Sequence, residues 1–469
     1  MKVLLTHGYF LNEDPAELRI MKPYPPLGIL YISAYLNEKG IENKIFDTTF
    51  SSKENLKKFL VDEKPDYAAI YVNLMTKLNV LEIIRFIKSK IELSNSKIIL
   101  GGPEVRYNAV DFLKHGADYY VVIGEGEETT FELISMLEEK NDVSKVPGIG
   151  YLNTNGEPIF TPERTLIKDI NDLPFPNRNG INIQDYQKAW KNKHKQDAVS
   201  ISTMRGCPYT CKWCSRAVYG LTYRRRSPQK VVEELKIIKE NYYPDSLWFV
   251  DDVFTISHKW LFEFNEELKK NNLKINYECI TRADRMNEEV IATMKESGCF
   301  RVWIGAESGS QRIIDAMDRR VKVEQVRKMI QLSKKYGIET GTFIMLGYPG
   351  ETENDIEETI NHLKQSNPDH FTITIAYPIR GTEFFQEIET KQTEAFSWES
   401  NTDRDRNYKR TYPKKYYNFA VRRVVNEVNY FKNRNNGMIN PDLIVTKSKS
   451  LAAKAGMWLT RNTRWLNSY

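Results

Sequence analysis

Short apolar runs alternate with amphipathic stretches over the first 140 residues of the chain. The apolar runs predict five buried strands, at 2–6, 43–48, 67–72, 97–102 and 119–124. The amphipathic stretches predict helices at 27–39, 53–61, 77–90, 108–115 and 127–139. Such alternation is typical of parallel βαβ units, so the pattern predicts an α/β domain with a doubly wound parallel sheet over residues 1–140.

The stretch 141–197 interrupts this pattern. Asn155-Gly156 lies between two strand-like runs and predicts a β-hairpin. Residues 171–180, NDLPFPNRNG, are rich in Pro, Asn and Gly, which is typical of a linker. We therefore expect a hairpin and a linker between two domains.

A second alternating series begins at residue 198. It predicts six strands, at 198–204, 246–251, 275–281, 300–307, 340–346 and 371–377. A predicted helix follows each strand, at 228–241, 257–271, 287–297, 310–336 with a break, 353–366 and 383–390. Because a complete (βα) barrel has eight such units, the pattern predicts a partial six-unit barrel over residues 198–394.

The alternation ends in the C-terminal region, 395–469. Residues 404–434 are rich in Arg, Lys and Tyr, and 446–469 predicts one amphipathic helix. Three interpretations stay open for this small helical segment. It could line the barrel mouth and bind substrate, rest on an anionic membrane surface, or form a solvated helical cap with a basic face.

Composition narrows the class of protein. The 469 residues are 41% hydrophobic and 28% charged, which predicts a soluble globular chain. No apolar run is long enough for a transmembrane helix, and the N-terminus lacks the pattern of a signal peptide. The net charge of +6 is modest and does not by itself indicate nucleic acid binding. The five cysteines do not form a disulfide framework, so we expect a reducing cytoplasm.

Three of the cysteines, Cys207, Cys211 and Cys214, lie in one loop directly after the first predicted barrel strand. Zinc sites usually take four Cys or His ligands, and no fourth such residue lies within ten positions of the loop. The other two, Cys279 and Cys299, are expected in the core. Three thiolates on a four-iron cluster would leave one iron open to a substrate. The loop therefore predicts a metal-binding and catalytic centre.

Polar and glycine residues follow the other barrel strands. Because the carboxyl ends of parallel barrel strands converge on one mouth, we expect these residues around the cysteine loop. The alternative for each is a helix cap or a turn. The candidates are Asp251, Asp252, Arg282, Glu307, Ser308 and Gly347.

The spacing C-x3-C-x2-C, with aromatic Trp213 before the last cysteine, resembles the signature of the radical S-adenosylmethionine (SAM) superfamily. The resemblance implies that the open iron of a 4Fe–4S cluster chelates SAM. It also implies that the second-strand acidic segment contacts the SAM amino group. The fourth-strand residues would then contact the ribose and methionine end, and the fifth-strand glycine segment the adenine. Trp213 and Arg282 are expected among the cofactor contacts.

The first domain resembles the cobalamin-binding domain that precedes many radical SAM barrels. The resemblance rests on residues 23–48, on GGPEV at 101–105 and on VIGEGEET at 122–129. Gly101 and Gly102 are expected to let backbone pass close to the macrocycle. The family motif D-x-H-x-x-G is absent, so neither His7 nor His115 is expected to bind cobalt. The carboxylates of GEGEET are expected to cap a helix N-terminus.

The chain is similar to the group containing the anaerobic magnesium-protoporphyrin ester cyclase and several lipid and natural-product methylases. The resemblance implies reductive cleavage of SAM and functionalisation of an unactivated carbon, with cobalamin-dependent C-methylation of a small molecule or lipid favoured. Oxidative cyclisation or rearrangement without methyl transfer is the alternative, and a non-catalytic iron–sulfur binding protein is the alternative of another class. Expected partners are an electron donor such as flavodoxin or ferredoxin and no nucleic acid. The expected location is cytoplasmic, with peripheral membrane contact as an option.

Overall fold

The structure is a computed structural model that describes residues 1–121, 125–215, 220–393, 395–435 and 441–461. The chain forms two compact units. The first comprises Met1–Pro208, Ser215–Val250 and Phe396–Asp403. The second comprises Tyr209–Cys214, Asp251–Ala395 and Arg404–Tyr469.

The first unit is built on a seven-stranded sheet with the order β2-β1-β3-β4-β5-β6-β7. Its strands are β1 Val3–His7, β2 Asn43–Phe46, β3 Tyr67–Tyr71, β4 Lys97–Gly101, β5 Tyr119–Val121, β6 Ile149–Leu152 and β7 Pro158–Phe160. The first five are parallel, and the order reverses on the two sides of β1. The predicted doubly wound sheet is therefore confirmed. In such sheets ligands bind at the carboxyl ends of the strands near the reversal.

Both faces of this sheet are covered, which explains why β1 begins with three consecutive apolar residues, Val3, Leu4 and Leu5. Leu4 packs into the core on one face, while Val3 and Leu5 pack into the core on the other. The helices of this region are α1 Pro15–Ile20, α2 Leu27–Glu38, α3 Lys53–Glu63, α4 Lys77–Ser89, α5 Pro103–Lys114, α6 Gly126–Glu138 and α7 Ile183–His194.

Three details of this unit differ from the sequence prediction. Helix α5 begins at Pro103 rather than 108, because proline suits the first turn of a helix and Gly102 supplies the preceding left-handed backbone (φ 108°). The hairpin at 149–160 forms as predicted, but β6 pairs with β5, so the hairpin extends the first sheet. Helix α7 was not predicted. Lysine-rich positions obscured its buried stripe of Ile183, Tyr186 and Trp190.

The first unit also contains the start of the second series: β8 Ala198–Ile201, β9 Met204–Arg205, β10 Arg224–Arg225, α8 Pro228–Tyr242 and β11 Ser246–Phe249. Strands β8 and β11 pair in parallel. The two-residue strands β9 and β10 pair antiparallel, and the loop between them carries the three clustered cysteines.

The second unit continues the βα series. Its elements are α9 His258–Lys270, β12 Tyr277–Thr281, α10 Glu288–Glu296, β13 Cys299–Glu307, α11 Gln311–Ala316, α12 Val323–Lys335, β14 Glu339–Leu346, α13 Glu353–Ser366, β15 His370–Ile375 and α14 Glu383–Glu389. Strands β12 to β15 are parallel neighbours in chain order. All six predicted strands of the series are thus present, and the predicted 310–336 helix is broken into α11 and α12.

The C-terminal region is helical, as predicted, and contains α15 Lys414–Asn435 and α16 Pro441–Thr460. The last helix begins at 441 instead of 446, and the predicted end at 462–469 lies outside the described residues. The segment Phe396–Asp403 packs with the first unit, where Trp398 donates its indole N–H to Asn108 (3.0 Å). No helix in the described part of the chain is long and apolar enough to span a bilayer.

Candidate functional site

The cysteine segment Tyr209–Cys214 is fixed to the second unit by backbone hydrogen bonds. The N–H of Lys212 donates to the carbonyl of Met317 (3.1 Å), and its carbonyl accepts from the N–H of Phe384 (3.0 Å). The N–H of Cys214 donates to the carbonyl of Cys211 (3.1 Å), which closes a turn. These contacts hold a segment that has no regular secondary structure of its own.

Two buried guanidinium groups face the sulfur of Cys211. Arg282 donates to the Sγ atom at 3.6 Å, and Arg319 donates at 3.7 Å. Arg282 also donates to Asp284 (2.9 Å) and to the carbonyl of Arg319 (2.7 Å). Its guanidinium lies 3.7 Å from the ring centre of Tyr209. The pair presents positive charge to a ligand atom that must be a thiolate when it binds iron.

Glu307, at the end of β13, lies beside the same pair. Its carboxylate is 3.6 Å from Arg319, and its backbone is left-handed (φ 65°). Burial raises the pKa of Glu307, while the charges of Arg319 and Arg282 oppose the shift. Arg282, directly after β12, therefore contacts Cys211, and Glu307, at the end of β13, lies beside Arg319, which contacts the same sulfur.

The other strand-end candidates have varied surroundings. Ser308 is buried, lies 3.3 Å from the hydroxyl of Thr359 and accepts the N–H of Ser310 (3.1 Å). This favours the alternative role of a turn residue for Ser308. Gly347 has a left-handed backbone (φ 82°) and donates its N–H to Glu351 (2.6 Å). Burial raises the pKa of Glu351 to about 8, and the Gly347 hydrogen bond opposes the shift.

The two aspartates after β11 differ in exposure. Asp251 is buried, whereas Asp252 is exposed. Protein atoms packed around its carboxyl raise the pKa of Asp252 to about 6, and the charge of Asp251 adds to the shift. Trp213 packs against a buried cluster that includes Met317 and Phe384. Its ring centre lies 5.8 Å from the guanidinium of Arg319.

The three cysteines fit a four-iron cluster. Cys211 is buried, and Cys207 and Cys214 are half-buried. Among the described residues, no three His, Cys, Asp or Glu side chains converge closely enough to hold a single metal ion. A cluster does not require such convergence, because each thiolate binds a different iron. Cys279 and Cys299 are buried in the strands, as expected of core residues, and burial raises the pKa of the Cys279 thiol.

Two histidines of the first unit, His7 and His115, are engaged by protein groups. In His7, Nε2 lies 2.9 Å from Asp47, and Nδ1 accepts the N–H of Tyr9 (3.2 Å). Burial is the largest single influence and raises the pKa of Asp47, but the hydrogen bonds from His7, Thr49 and Tyr186 and the charge of His7 together outweigh it, so the net shift is downward. In His115, Nδ1 lies 2.6 Å from the carbonyl of Asp111, and Nε2 is 3.0 Å from Glu399. These contacts agree with the expectation that neither histidine binds cobalt.

Gly101 and Gly102, at the carboxyl end of β4, differ in the space around them. A Cβ atom added to Gly101 would meet no atom within 4 Å. A Cβ atom on Gly102 would lie 2.4 Å from the carbonyl oxygen of Val72. The backbone at Gly101 is thus accessible to a flat ligand at the strand ends, where a doubly wound sheet binds one. This arrangement fits the expected macrocycle.

The expected capping role of GEGEET is wrong for two of its carboxylates. Glu125 occupies the N-cap position of α6, but its side chain makes no capping hydrogen bond. It instead accepts from Arg205 (3.0 Å) and Arg224 (2.7 Å). Glu127 accepts from Arg205 (2.5 Å).

Sequence reasoning also missed Arg319 and Tyr209. Tyr209 lies between two of the clustered cysteines, so its position offered a signal. Arg319 follows β13 by twelve positions and is one of two adjacent arginines after a helix. Nothing in that local pattern distinguishes it from a surface residue.

Two protein-family models match the chain. The model for the radical SAM superfamily matches residues 201–363, and the model for the B12 binding domain matches residues 19–134. A curated relative, the uncharacterized methyltransferase PH0819 of Pyrococcus horikoshii, is 30% identical over 77% of this chain and 78% of its own length. The anaerobic magnesium-protoporphyrin IX monomethyl ester cyclase of Rubrivivax gelatinosus is 27% identical over 85% of this chain and 72% of its own length.

Solved structures share the fold. The cobalamin-dependent SAM radical enzyme OxsB, solved with aqua-cobalamin bound, aligns with a TM-score of 0.76. The alignment covers 98% of this chain and 72% of that chain at 17% identity. At this identity the likeness establishes the fold alone. The predicted order of a parallel doubly wound sheet, a radical SAM domain and a helical C-terminal segment is confirmed.

The comparisons confirm the expected class and cofactors. The chain is an enzyme with methyltransferase relatives, and its cofactors are a 4Fe–4S cluster, SAM and cobalamin. The individual contacts predicted for these cofactors stay predictions.

Proposed function

Because the chain belongs to the radical SAM superfamily, in the group that also carries a B12 binding domain, we propose that it methylates an unactivated carbon of a small molecule or lipid. The observation that carries this proposal is the presence in one chain of the cysteine loop and the open strand ends of the first unit. Bound in these places, the cluster and cobalamin would supply the electron that cleaves SAM and the carrier of the methyl group.

The residues around Cys211 have a positioning and electrostatic role in this proposal. The N–H groups of Arg282 and Arg319 stabilise negative charge on the sulfur. Glu307 balances Arg319, so that the buried charges are paired. Asp252 is exposed and ionised above about pH 6, so its carboxylate would accept a hydrogen bond from the amino group of SAM.

Oxidative cyclisation is the second candidate function, since one relative is named a cyclase. The two reactions differ in the fate of the SAM methyl group. A carbon without a leaving group or acidic proton needs a radical step in both reactions, but only methylation adds a carbon to the product.

The deciding experiment supplies SAM with a trideuterated methyl group to anaerobically reconstituted protein. The substrate source is a metabolite and lipid extract from cells that lack the gene. Methylation predicts a product that gains CD3, together with 5′-deoxyadenosine and S-adenosylhomocysteine. Deoxyadenosine with an unlabelled, oxidised or rearranged product would overturn methylation and favour cyclisation. The Cys211→Ala variant is the control for cluster-independent labelling.

An electron donor such as flavodoxin or ferredoxin is part of the proposal, since reductive SAM cleavage consumes an electron. To test this requirement, each reduced donor is added to the reconstituted protein, and reduction of the cluster is measured by its EPR signal. A cluster that neither donor reduces would remove both from the proposal.

Peripheral contact with an anionic membrane is supported by the outer face of α16. Five large apolar side chains on this helix are exposed: Ile444, Val445, Leu451, Trp458 and Leu459. At 100° per residue they form one stripe, with exposed Lys449 and Lys454 on its two borders. The opposite face, which includes Ser450 and Met457, is buried. An apolar stripe with lysine borders is the pattern of a helix lying in a membrane interface.

Flotation with anionic liposomes tests this contact. The double variant Leu451→Ser, Trp458→Ser should lower vesicle partitioning about tenfold, because each loses apolar area that the interface would bury. High salt should weaken binding of the wild-type protein, since lysines are attracted to anionic lipid. The matched control is Ile237→Ser, which removes an exposed apolar side chain from α8. Equal flotation of double variant and wild type would remove α16 from the proposal.

A further inference from the structure

The short β9–β10 pair closes the base of the cysteine loop, and we call it the neck. It carries two arginines at opposed positions, where their like charges repel. Arg205 and Arg224 are direct cross-strand partners in the antiparallel pair β9 and β10. Like charges at directly opposed positions destabilise such a pair. The pair is only two residues long on each side, so few backbone hydrogen bonds compensate for the repulsion.

Two carboxylates of the B12-binding region neutralise this repulsion. Glu125 accepts from both Arg205 (3.0 Å) and Arg224 (2.7 Å), and Glu127 accepts from Arg205 (2.5 Å). Glu125, Glu127 and Arg205 are each less than a tenth exposed. Two positive and two negative charges thereby balance in a largely buried group, and removal of any one leaves the group with a net charge.

The neck has further fixed contacts. The second carboxylate oxygen of Glu125 accepts the N–H of Ile167 (2.7 Å), and Arg224 donates to the carbonyl of that residue (2.6 Å). Gly206 follows Arg205 with a left-handed backbone (φ 87°), and a Cβ atom there would lie 2.2 Å from the carbonyl oxygen of Thr222. The two segments of the chain that form the neck are therefore in close contact immediately before Cys207.

We infer that Glu125 and Glu127 are positioning residues for the iron–sulfur cluster. They close the β9–β10 neck and so fix the point from which Cys207 leaves the hairpin. Both carboxylates lie at the start of α6, within the B12-binding region. The state of that region is thus coupled to the cysteine loop through ion pairs. The inference rests on the proposed function only for the identity of the cluster.

The test uses full-length protein with its cluster reconstituted. Glu127→Gln keeps the shape of the side chain and removes its charge. We expect amide hydrogen exchange to accelerate about tenfold or more in peptides covering 203–208 and 222–226, because a buried charged hydrogen bond is lost. Exchange in β1, β3 and β4 should stay at the wild-type rate, since a positioning role is local. The EPR signal of the reduced cluster should broaden or shift.

The matched control is Glu132→Gln on the same helix. Glu132 pairs with Arg164 and not with the neck, so neither the exchange at 203–226 nor the EPR signal should change. Glu127→Asp keeps the charge and should restore part of the protection. Wild-type exchange and EPR in Glu127→Gln would overturn the inference, as would acceleration spread evenly over the first unit.

If Glu127→Gln does not fold, Arg224→Gln gives the same readout. It removes the charge that pairs with Glu125, and the shorter side chain loses the contacts that Nη1 of Arg224 makes with Glu125 and Ile167. Wild-type exchange at the neck in this variant would overturn the inference. Because exchange needs no substrate, a closed neck in a protein without methyl transfer would refute the proposed function alone.

Discussion

Gly101 and Gly102 are adjacent at the end of β4. A Gly→Ala substitution at each adds one methyl group, and the pair distinguishes the effect of backbone strain from the effect of blocking a ligand. Gly102→Ala places a methyl group 2.4 Å from the carbonyl oxygen of Val72, on a backbone with φ 108° and ψ 173°. This conformation is nearly exclusive to glycine. Gly101→Ala places its methyl group in open space, with no atom within 4 Å.

The strained backbone alone costs about 1–3 kcal/mol for a non-glycine residue. The contact with the backbone carbonyl of Val72 adds to this cost, because that carbonyl lies directly after β3 and accepts the N–H of Glu104, so it cannot move aside freely. We therefore expect Gly102→Ala to lower the unfolding free energy of the first unit by about 2–4 kcal/mol. Its thermal midpoint should fall by roughly 5–12 °C. Gly101→Ala should unfold like the wild type.

Cobalamin titration of the same two proteins measures ligand approach. If the macrocycle passes over Gly101, the added methyl group should push it away from the backbone and weaken cobalamin binding at least about tenfold. The stability of the protein should not change. Wild-type affinity in Gly101→Ala would refute the contact at Gly101. Wild-type stability in Gly102→Ala would refute the argument from backbone strain.

Three further predictions concern the centre and the histidine. The triple variant Cys207→Ala, Cys211→Ala, Cys214→Ala should lose the cluster iron, whereas Cys279→Ala and Cys299→Ala should keep it, as iron analysis after reconstitution would record. Arg319→Leu should lower the reduction potential of the cluster by roughly 60–130 mV, measured by a redox titration followed by EPR. This shift is the one-electron equivalent of one hydrogen bond of about 1.5–3 kcal/mol to a charged group. An unchanged potential would remove Arg319 from the electrostatics of the centre. His7→Ala should lower stability by about 1–3 kcal/mol, because Asp47 loses its partner, while cobalamin affinity stays at the wild-type value.

The fold was largely predictable because periodicity records which faces are buried. All five strands of the first domain and all six of the second series occur close to their expected positions. The elements that were missed have weak local patterns. Helix α7 buries only Ile183, Tyr186, Gln187 and Trp190 among lysines and polar residues. The division of the chain into domains at 1–140, 141–197, 198–394 and 395–469 stays a prediction.

The site was predictable only where the sequence holds a spaced motif. The cysteine loop is such a motif, and the strand ends predicted Arg282, which contacts Cys211, and Glu307, which lies beside Arg319. The acidic motif at 124–129 was read as a cap, because local preference favours carboxylates at helix N-termini. Its partners, Arg205 and Arg224, are about 80 to 100 positions away in the chain, with separations of 80 and 99 residues from Glu125. A helix-terminal preference cannot reveal a pairing over that separation.

The position of Arg319 depends on backbone that local preferences disfavour. Glu307, Asp318 and Arg320 all have left-handed backbone, with φ values of 65°, 50° and 54°. Each such residue costs of the order of 1–3 kcal/mol unless its surroundings enforce it, though aspartate tolerates it better. Here the surroundings do so: Asp318 accepts from Thr210 of the cysteine segment, and Arg282 donates to the carbonyl of Arg319. The cysteine segment and the arginine loop therefore stabilise each other, and the guanidinium reaches Cys211 only when both are in place. Left-handed backbone at three positions is unfavourable locally, and its presence is expected where it places a functional residue, here Arg319 beside the sulfur of Cys211. Local propensities along the chain cannot indicate such a placement.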